Sequence, residues 1–537
     1  MQNILEKIVY KLVAKNPSTR DELAEIKRQI AGKEKMASPG NAKLFNIYQK
    51  LLKKKKIGRN EKLEAILKKR AVRTISGVAP VAILTKPYPC PGKCAYCPTE
   101  KDMPKSYLSN EPAVMRAILC DFSPVRQVNA RIKALEANGH PTDKLEIIVI
   151  GGTWSALPPT YQKWFIKKCF DTANNIDSKI KKKTKNLAEA QKINETAKHR
   201  IIGITLETRP DFIAPEEIRR MRELGCTRVE LGVQSIYDSI LQKNNRGHNV
   251  SKTIEATKLL KDAGFKICYH MMPNLPGSTP TLDLKMFQEI FQNPNFQPDM
   301  IKIYPCVVTK GSRLFGWWKR GEYKSYTDKQ LIDLLIKIKT IVPSYVRINR
   351  LIRDIPSQSI MSGNKVSNLR EFLQKKMLEQ GMICKCIRCR EVGHQDKLKV
   401  KSEKLKVFKL FTTRYLASGG VEYFLSFESP GRKILYAFSR LRIPQNLSDG
   451  LSELRDAALI RELHTFGHLV PINETSCGAS QHLGLGKKLM EEMEKIVRKN
   501  KIKKIAVISG VGVREYYKKL GYKKEDTYMV KYLNNDL

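Results

Sequence analysis

The chain has 537 residues, too many for a single hydrophobic core, and two to four domains are expected. Its 98 Lys and Arg against 53 Asp and Glu leave a net charge of +45, which points to a polyanionic partner, nucleic acid first. A lysine-rich, solvated surface accounts for only part of that excess. Half of its 12 cysteines fall in two tight groups, Cys90/Cys94/Cys97 and Cys384/Cys386/Cys389, which excludes a disulfide framework and favours metal binding in a reducing compartment. The N-terminus carries charges through its apolar positions, unlike a signal peptide, and no run of about 18 apolar residues spans a membrane. A cytoplasmic protein is expected.

Residues 1–70 read as a basic helical arm. Ile4, Ile8, Leu12 and Val13 recur at helical spacing, and Leu23, Ile26 and Ile30 repeat it. Asn16-Pro-Ser-Thr19 ends the first helix, and Thr19 or Asp21 caps the second. A third helix is expected from about Ala42, with few apolar positions (Leu44, Ile47, Leu51, Leu52) beside Lys53-Lys-Lys-Lys56. Two readings stay open: a solvated helical arm, and an electrostatic arm that grips a phosphate backbone without reading sequence.

Residues 71–300 alternate short apolar runs with amphipathic segments. Strands are expected at Val81–Leu84, Leu145–Ile150, Ile201–Leu206, Arg228–Ser235, Phe265–Met272 and Met300–Tyr304. Helices such as Pro215–Leu224 and Val250–Ala263 separate them. Repeated βα predicts a parallel barrel or partial barrel, whose site gathers at the C-terminal ends of the strands. Cys90, Gly151, Gly152, Glu207, Gln234 and the turn Pro273-Asn-Leu-Pro-Gly277 fall at those ends and should converge. Taken singly, each is ordinary turn chemistry. An insertion from Ser178 to Lys198, with Lys179, Lys181, Lys182, Lys183 and Lys185, reads as charged decoration of the barrel.

The chemistry concentrates in Pro87-Tyr-Pro-Cys90-Pro-Gly-Lys-Cys94-Ala-Tyr-Cys97-Pro98. Thiolates are soft ligands, and three of them spaced C-x3-C-x2-C can hold a four-iron cluster with one iron left open. That iron can chelate a small molecule through an amine and a carboxylate. Half of a structural zinc site is the competing reading, but it needs four ligands and a second knuckle, and none lies nearby. With Tyr96 before the third cysteine, the stretch resembles the radical S-adenosylmethionine (radical SAM) superfamily. That resemblance implies a 4Fe–4S cluster on Cys90, Cys94 and Cys97. It also implies SAM, with its methionyl amine at Gly151-Gly152, its ribose at Glu207 and its adenine side at Pro273–Gly277.

A second thiol group stands in Cys384-Lys-Cys386-Ile-Arg-Cys389-Arg-Glu-Val-Gly-His394. Cys386-x2-Cys389 is a zinc knuckle in need of two more ligands. The expected set is Cys306, Cys386 and Cys389, with Cys306 tying the barrel to the following domain and the fourth ligand open between Cys384 and His394. Free thiols are the other reading.

Residues 397–537 change character. Leu405–Thr412, Val421–Phe427 and Leu435–Phe438 alternate as antiparallel strands, followed by Ala457–His464 and 467–472. Gln481-His-Leu-Gly484-Leu-Gly486-Lys487 opens an amphipathic helix through Lys499, and its free backbone N–H groups suit a pyrophosphate. Ile505–Gly510 and Tyr516-Tyr517 follow at a spacing that resembles a GNAT acetyltransferase. A Rossmann unit would want an acidic residue ending the next strand, which is missing.

A radical SAM barrel followed by a GNAT domain resembles the Elongator catalytic subunit family, including its single-chain archaeal-type tRNA wobble-uridine acetyltransferases. Glu207-Thr-Arg-Pro-Asp211, Gly232-Val-Gln-Ser235, Arg390-Glu-Val-Gly393 and Glu462-Leu-His464 extend the likeness over nearly the whole chain. The expected α/β architecture is a basic helical arm (1–70), a radical SAM partial (β/α) barrel (71–380), a zinc-binding linker (381–396) and a GNAT domain (397–537). The resemblance implies transfer of the acetyl group of acetyl-CoA, as a methyl-carbon radical, to carbon 5 of the wobble uridine of tRNA. Thioester hydrolysis then leaves carboxymethyluridine. Lys144 is expected near the acetyl-CoA, and Glu462, Leu463, His464 and Thr465 at its acyl end. Gln481, Gly484, Leu485, Gly486 and Lys487 would hold the pyrophosphate, and Tyr516 and Tyr517 the thioester region. Lys144, His464 and Tyr517 are the catalytic candidates, although without the resemblance Lys144 reads as a surface lysine and His464 as a core histidine. The anticodon stem-loop would enter a basic cleft between barrel and GNAT domain. An electron donor and a homodimer are open as further partners. The rival readings are a protein lysine acetyltransferase with the barrel as scaffold, which needs no SAM, and a non-catalytic RNA-binding scaffold.

Overall fold

Four helices, Gln2–Lys15, Arg20–Lys33, Asn41–Lys53 and Glu61–Leu67, precede the first strand of the computed structural model, whose described residues are 2–67, 77–178, 183–394, 408–448, 451–466 and 484–533. Thr19 caps the second helix by accepting the Glu22 N–H at 3.2 Å, as its sequence predicts. In the third helix Leu44, Ile47 and Leu51 are joined by Phe45 and Tyr48 on one buried face. They close a core with Ile8, Leu12, Leu23, Ile26 and Leu63 that is separate from the rest of the molecule. The arm is therefore a small folded unit rather than a solvated extension, with Lys53–Lys56 exposed on its surface.

The chain then builds β1 (Ala79–Leu84), β2 (Lys144–Ile150), β3 (Arg200–Thr208), β4 (Cys226–Gln234), β5 (Lys266–Met271), β6 (Met300–Ile303), β7 (Val308–Thr309), β8 (Arg347–Arg350) and β9 (Ile360–Ser362). A seven-stranded sheet runs β1-β2-β3-β4-β5-β6-β8, every pair parallel, while β7 and β9 form a short antiparallel ribbon. All six expected strands are present. The seventh, β8, escaped the sequence reading because Arg347-Ile-Asn-Arg350 is a four-residue edge strand with one buried apolar side chain, Ile348.

Parallel sheets read as continuous apolar runs when both faces are dry. Here one face is apolar: Leu145, Ile147, Val149, Val229, Leu231, Ile267, Ile301 and Ile303 pack in the core. The alternate positions carry Glu146, Arg228, Glu230, Lys266, His270 and Lys302, which face the interior of the partial barrel.

A second sheet runs β10 (Lys409–Leu416), β11 (Gly420–Glu428), β12 (Leu435–Pro444), β13 (Ala457–Thr465), β14 (Lys504–Val507), then β16 (Tyr528–Tyr532) and β15 (Lys523–Glu525). It is antiparallel except for β13 beside β14, between which the helix Leu485–Lys499 lies in sequence. These two strands pair only from Ala457 to Ile460, although β13 continues to Thr465, so they part at Arg461. The strand expected over 467–472, Gln481, and Lys179, Lys181 and Lys182 lie outside the described residues.

The two sheets share one continuous core rather than meeting through a linker alone. The second sheet docks on the N-terminal ends of the barrel strands. Arg461 donates to the Asp299 carboxylate at 2.6 Å, just before β6, and to the Phe265 carbonyl, just before β5. The Tyr528 hydroxyl donates to the Ala263 carbonyl at 2.7 Å, and Tyr345 stacks on Tyr415 with ring centroids 4.0 Å apart. The segment around Cys386 seals the same joint: Ile387 N–H donates to the Val346 carbonyl at 3.0 Å, and Arg390 pairs with Glu428 of β11 at 2.7 Å.

Candidate active site

A cavity of about 2040 Å³ runs from the C-terminal ends of the barrel strands, through the barrel interior, to the gap where β13 and β14 part. Cys90, Cys94 and Cys97 line one end. Unlike Cys384, Cys386 and Cys389, these three do not form a group with all sulfurs within 4.8 Å of one another. That spread suits an object larger than one ion. A Cβ placed on Gly92 would lie 2.5 Å from Arg209 Nη1 and 3.6 Å from both Cys90 Sγ and Cys94 Sγ, so the glycine lets the loop bring its thiols together beside a guanidinium. A hydrogen bond from Cys97 and the Arg246 guanidinium hold Cys94 at about 4, far below an ordinary thiol, as a ligand-ready thiolate. Residues present therefore fit a cluster held by three cysteines.

Gly151 and Gly152 turn the chain after β2 at φ of +134° and +103°, values that side-chain-bearing residues avoid. Gly152 and Glu207 line the cavity beside the cysteines, and Tyr107 donates its hydroxyl to Glu207 at 3.1 Å, fixing that carboxylate. Gln234 also lines it, whereas Gly151 and the Pro273–Gly277 turn do not. The turn instead packs behind the cysteine loop, with Leu275 in an apolar cluster with Cys94 and Tyr96 and the Asn274 carbonyl accepting from Tyr323 at 2.8 Å.

Deeper in, His270 bridges Glu230 at 2.9 Å and Glu207 at 3.5 Å, Lys302 pairs with Glu230, and Arg228 pairs with Glu146 at 2.7 Å. Burial would raise the Glu230 carboxyl, but Lys302 and His270 outweigh it and hold it well below the ordinary range. Glu230, Cys268 and His270 lie within 4.8 Å of one another, yet the Lys302 ammonium already neutralises that carboxylate, so the group reads as a satisfied ion cluster. Apart from Glu207, none of these interior residues was singled out from sequence. Their signal was present: charges at every second position inside strands that otherwise look fully buried.

At the other end Glu462, Leu463, His464 and Thr465 of β13 line the cavity with Gly484, Gly486, Lys487, Tyr516 and Tyr517. A Cβ on Gly486 would sit 3.1 Å from the Tyr516 hydroxyl and within 4.0 Å of both Thr465 and Leu463, so these expected partners do converge. Glu462 is bound by Arg440 at 2.9 Å and Lys266 at 3.8 Å. His464 stacks on Phe438 with centroids 5.8 Å apart and lies 4.4 Å from Phe466. Burial pushes the Tyr517 phenol up, keeping it protonated. Leu485 is buried in the core instead, and Lys144 opens β2 on the same side as Glu146 without lining the cavity.

The zinc ligand set needs correction. The third thiol beside Cys386 and Cys389 is Cys384, and Cys306 is not in the group. Cys306 follows β6 at the C-terminal end of the sheet, packed with Tyr96, Leu275 and Tyr323, whereas Ile387 bonds to Val346, at the N-terminal end of β8. In a parallel sheet those are opposite ends. The His394 side chain lies outside the described residues.

Residues 88–282 match the family model of the Radical SAM superfamily, and residues 298–379 that of the Radical_SAM C-terminal domain. The chain is thus a radical SAM protein, a class that implies a 4Fe–4S cluster and SAM. It is 50% identical over 477 residues to the tRNA uridine(34) acetyltransferase of Methanocaldococcus jannaschii, covering 87% of each chain. It is 40% identical over 481 residues to Elongator complex protein 3 of Homo sapiens, covering 87% of this chain and 86% of that one. The solved structure of Methanocaldococcus infernus Elp3 with an N-terminal deletion superimposes with a TM-score of 0.74 at 46% identity, over 86% of this chain and 100% of that one. The chain belongs to the family of tRNA uridine(34) acetyltransferases and Elongator complex protein 3.

Proposed function

We propose that this chain transfers the acetyl group of acetyl-CoA, as a methyl-carbon radical, to carbon 5 of the wobble uridine of tRNA, and that thioester hydrolysis leaves carboxymethyluridine. The observation that carries this reading is the single cavity lined at one end by the three cysteines and at the other by Glu462–Thr465, Gly486 and Tyr517. The net charge of +45 and the relatives named for tRNA uridine(34) support tRNA as the acceptor. Among the described residues no helix is long and apolar enough to cross a membrane. The tRNA substrate supports a cytoplasmic site of action.

Uridine carbon 5 is a poor nucleophile and the thioester methyl is nearly inert, and the bound cluster with SAM supplies the radical chemistry that side-chain acids and bases cannot. Cys90, Cys94 and Cys97 would hold the cluster, with Gly152 and Glu207 facing SAM. The second sheet serves as a GNAT-type acetyl-CoA site. The first turn of helix Leu485–Lys499 starts from a left-handed Gly484 with no side-chain cap, leaving N–H groups for the pyrophosphate. Tyr517, protonated, donates to the thioester carbonyl. Burial would raise Glu462, but Lys266 and Arg440 outweigh it and keep it ionised, so it anchors β13 rather than carrying a proton. The aromatic walls around His464 keep water from the acyl end. Lys144, at the N-terminal start of β2 and outside the cavity lining, is the remaining acyl-end candidate.

Anaerobically reconstituted protein incubated with SAM, dithionite, acetyl-CoA and tRNA should yield carboxymethyluridine, detected in the nuclease digest by mass spectrometry. Acetyl-lysine on protein without modified uridine would replace this reading with the lysine acetyltransferase.

The Cys384, Cys386 and Cys389 thiols suit a structural zinc site, because three sulfurs within 4.8 Å of one another can share one tetrahedral ion. Cys386→Ser should lower bound zinc to near zero by atomic emission. It should also lower the thermal midpoint by several degrees, since Ile387 and Arg390 hold the joint between the sheets. An unchanged zinc content would leave these as free thiols.

A further inference from the structure

Arg246 is only 6% exposed, and its guanidinium faces the cysteine loop: Nη1 donates to Cys94 Sγ at 3.5 Å and Nη2 to the Gly232 carbonyl, while Nε has no partner. Two other guanidiniums near the loop are neutralised by carboxylates. Arg209 forks onto Asp211 at 2.9 and 2.7 Å, and Arg353 lies 3.4 Å from Glu111. Arg246 has no carboxylate within 4.0 Å among the described residues. A buried guanidinium without a counter-charge is strongly disfavoured, so the fold must hold it against an anion. Among the described residues the groups facing it that can carry negative charge belong to the loop, Cys94, Cys97 and the Tyr96 phenol, and Cys94 is the one it hydrogen-bonds.

The neighbouring strand makes room for it. A Cβ on Gly232 would lie 2.6 Å from Arg246 Nη2, and Gly232 sits in β4 at a slip in its ladder to β5 but without a left-handed φ. Its missing side chain therefore serves the guanidinium rather than an unusual backbone, which explains the glycine in Gly232-Val-Gln-Ser235.

We propose that Arg246, seated by Gly232, is the built-in counter-charge of the iron–sulfur cluster and raises its reduction potential. This rests on the cluster reading of Cys90, Cys94 and Cys97. Uptake of one electron adds one negative charge to the cluster and requires no proton. A fixed cation beside one ligating sulfur stabilises the reduced form more than the oxidised one, and an N–H···S hydrogen bond acts in the same direction. Arg246 is thus a positioning residue, acting through the cluster rather than on a substrate.

The test is a dithionite titration with redox mediators of the full-length, anaerobically reconstituted chain, followed by low-temperature electron paramagnetic resonance, with iron and sulfide content measured in parallel. In Arg246→Gln the ratio of reduced to oxidised cluster at a fixed poise should fall about tenfold, which is a midpoint roughly 59 mV lower for a one-electron couple. Gly232→Ala, which keeps the charge but crowds it off its seat, should shift the midpoint the same way by less. A fully loaded Arg246→Gln with an unmoved midpoint overturns the proposal. Where that variant loses its cluster, Gly232→Ala decides in the same titration, a lower midpoint supporting the proposal and an unmoved one overturning it. A wild-type chain without a 4Fe–4S signal overturns the cluster reading itself, and this proposal with it.

Discussion

Cys94→Ala should abolish the visible absorbance of the reconstituted protein and reduce formation of 5′-deoxyadenosine from SAM to background. Cys94 is the buried member of the trio, held as a thiolate between Cys97 and Arg246, and Gly92 arches over the space between it and Cys90. Two thiolates hold a four-iron cluster poorly, and alanine offers no donor in place of the sulfur. The basic surface is untouched by the change, so tRNA affinity should stay within about twofold, because phosphate contacts dominate it. Iron analysis, product quantification and a filter-binding titration read the three outcomes. Undiminished SAM cleavage would mean that the cluster is held elsewhere.

Asp299→Asn should cost roughly 3–5 kcal/mol of unfolding free energy, the range for removing one partner of a buried ion pair. Asp299, Glu422, Lys261, Arg440, Arg442 and Arg461 are all at most 1% exposed. Arg461 bridges Asp299 at 2.6 Å and Glu422 at 2.9 Å, Arg442 reaches Glu422 at 3.1 Å, and Lys261 lies 3.6 Å from Glu422. Asp262 on Arg442 and Glu462 on Arg440 extend this network across the joint between barrel and second sheet. Asparagine keeps the shape and removes one charge, leaving the cations uncompensated in a low dielectric. Chemical denaturation of the two proteins measures the difference. A loss below about 1 kcal/mol would mean that water reaches the joint. The pH dependence has a definite sign. Burial alone would raise Asp299, but Arg461, Lys261 and Arg440 outweigh it and hold it far below the usual carboxylate range. Its stabilisation is therefore complete above the unfolded value near about 4 and is lost only as the pH falls on through the depressed folded value.

Local features were the readable ones. The cysteine loop could be recognised because its ligands lie within eight residues, and the Thr19 cap because a cap is set by neighbours in sequence. Six barrel strands were legible as apolar runs, and β8 was not, because an edge strand with one buried residue leaves no pattern. The third helix of the arm looked too charged to pack, yet Phe45 and Tyr48 complete its apolar face. Cys306 was placed in the zinc set as a sequence-distant strand-end cysteine that could tie two domains together, but residue order does not tell which end of the sheet the Cys384–Cys389 segment packs against.

Residue order by itself determined the three-thiol loop, the alternation of strand and helix and the glycine-rich helix start, since each depends on contacts a few positions apart. Only the tertiary structure decided that the second sheet caps the N-terminal ends of the barrel strands, turning two separate sites into the ends of one cavity. The buried charges of Asp299, Glu422 and Arg461, in part more than a hundred residues apart, specify that choice, because each finds its counter-charge only when both sheets are in place and would otherwise be buried uncompensated.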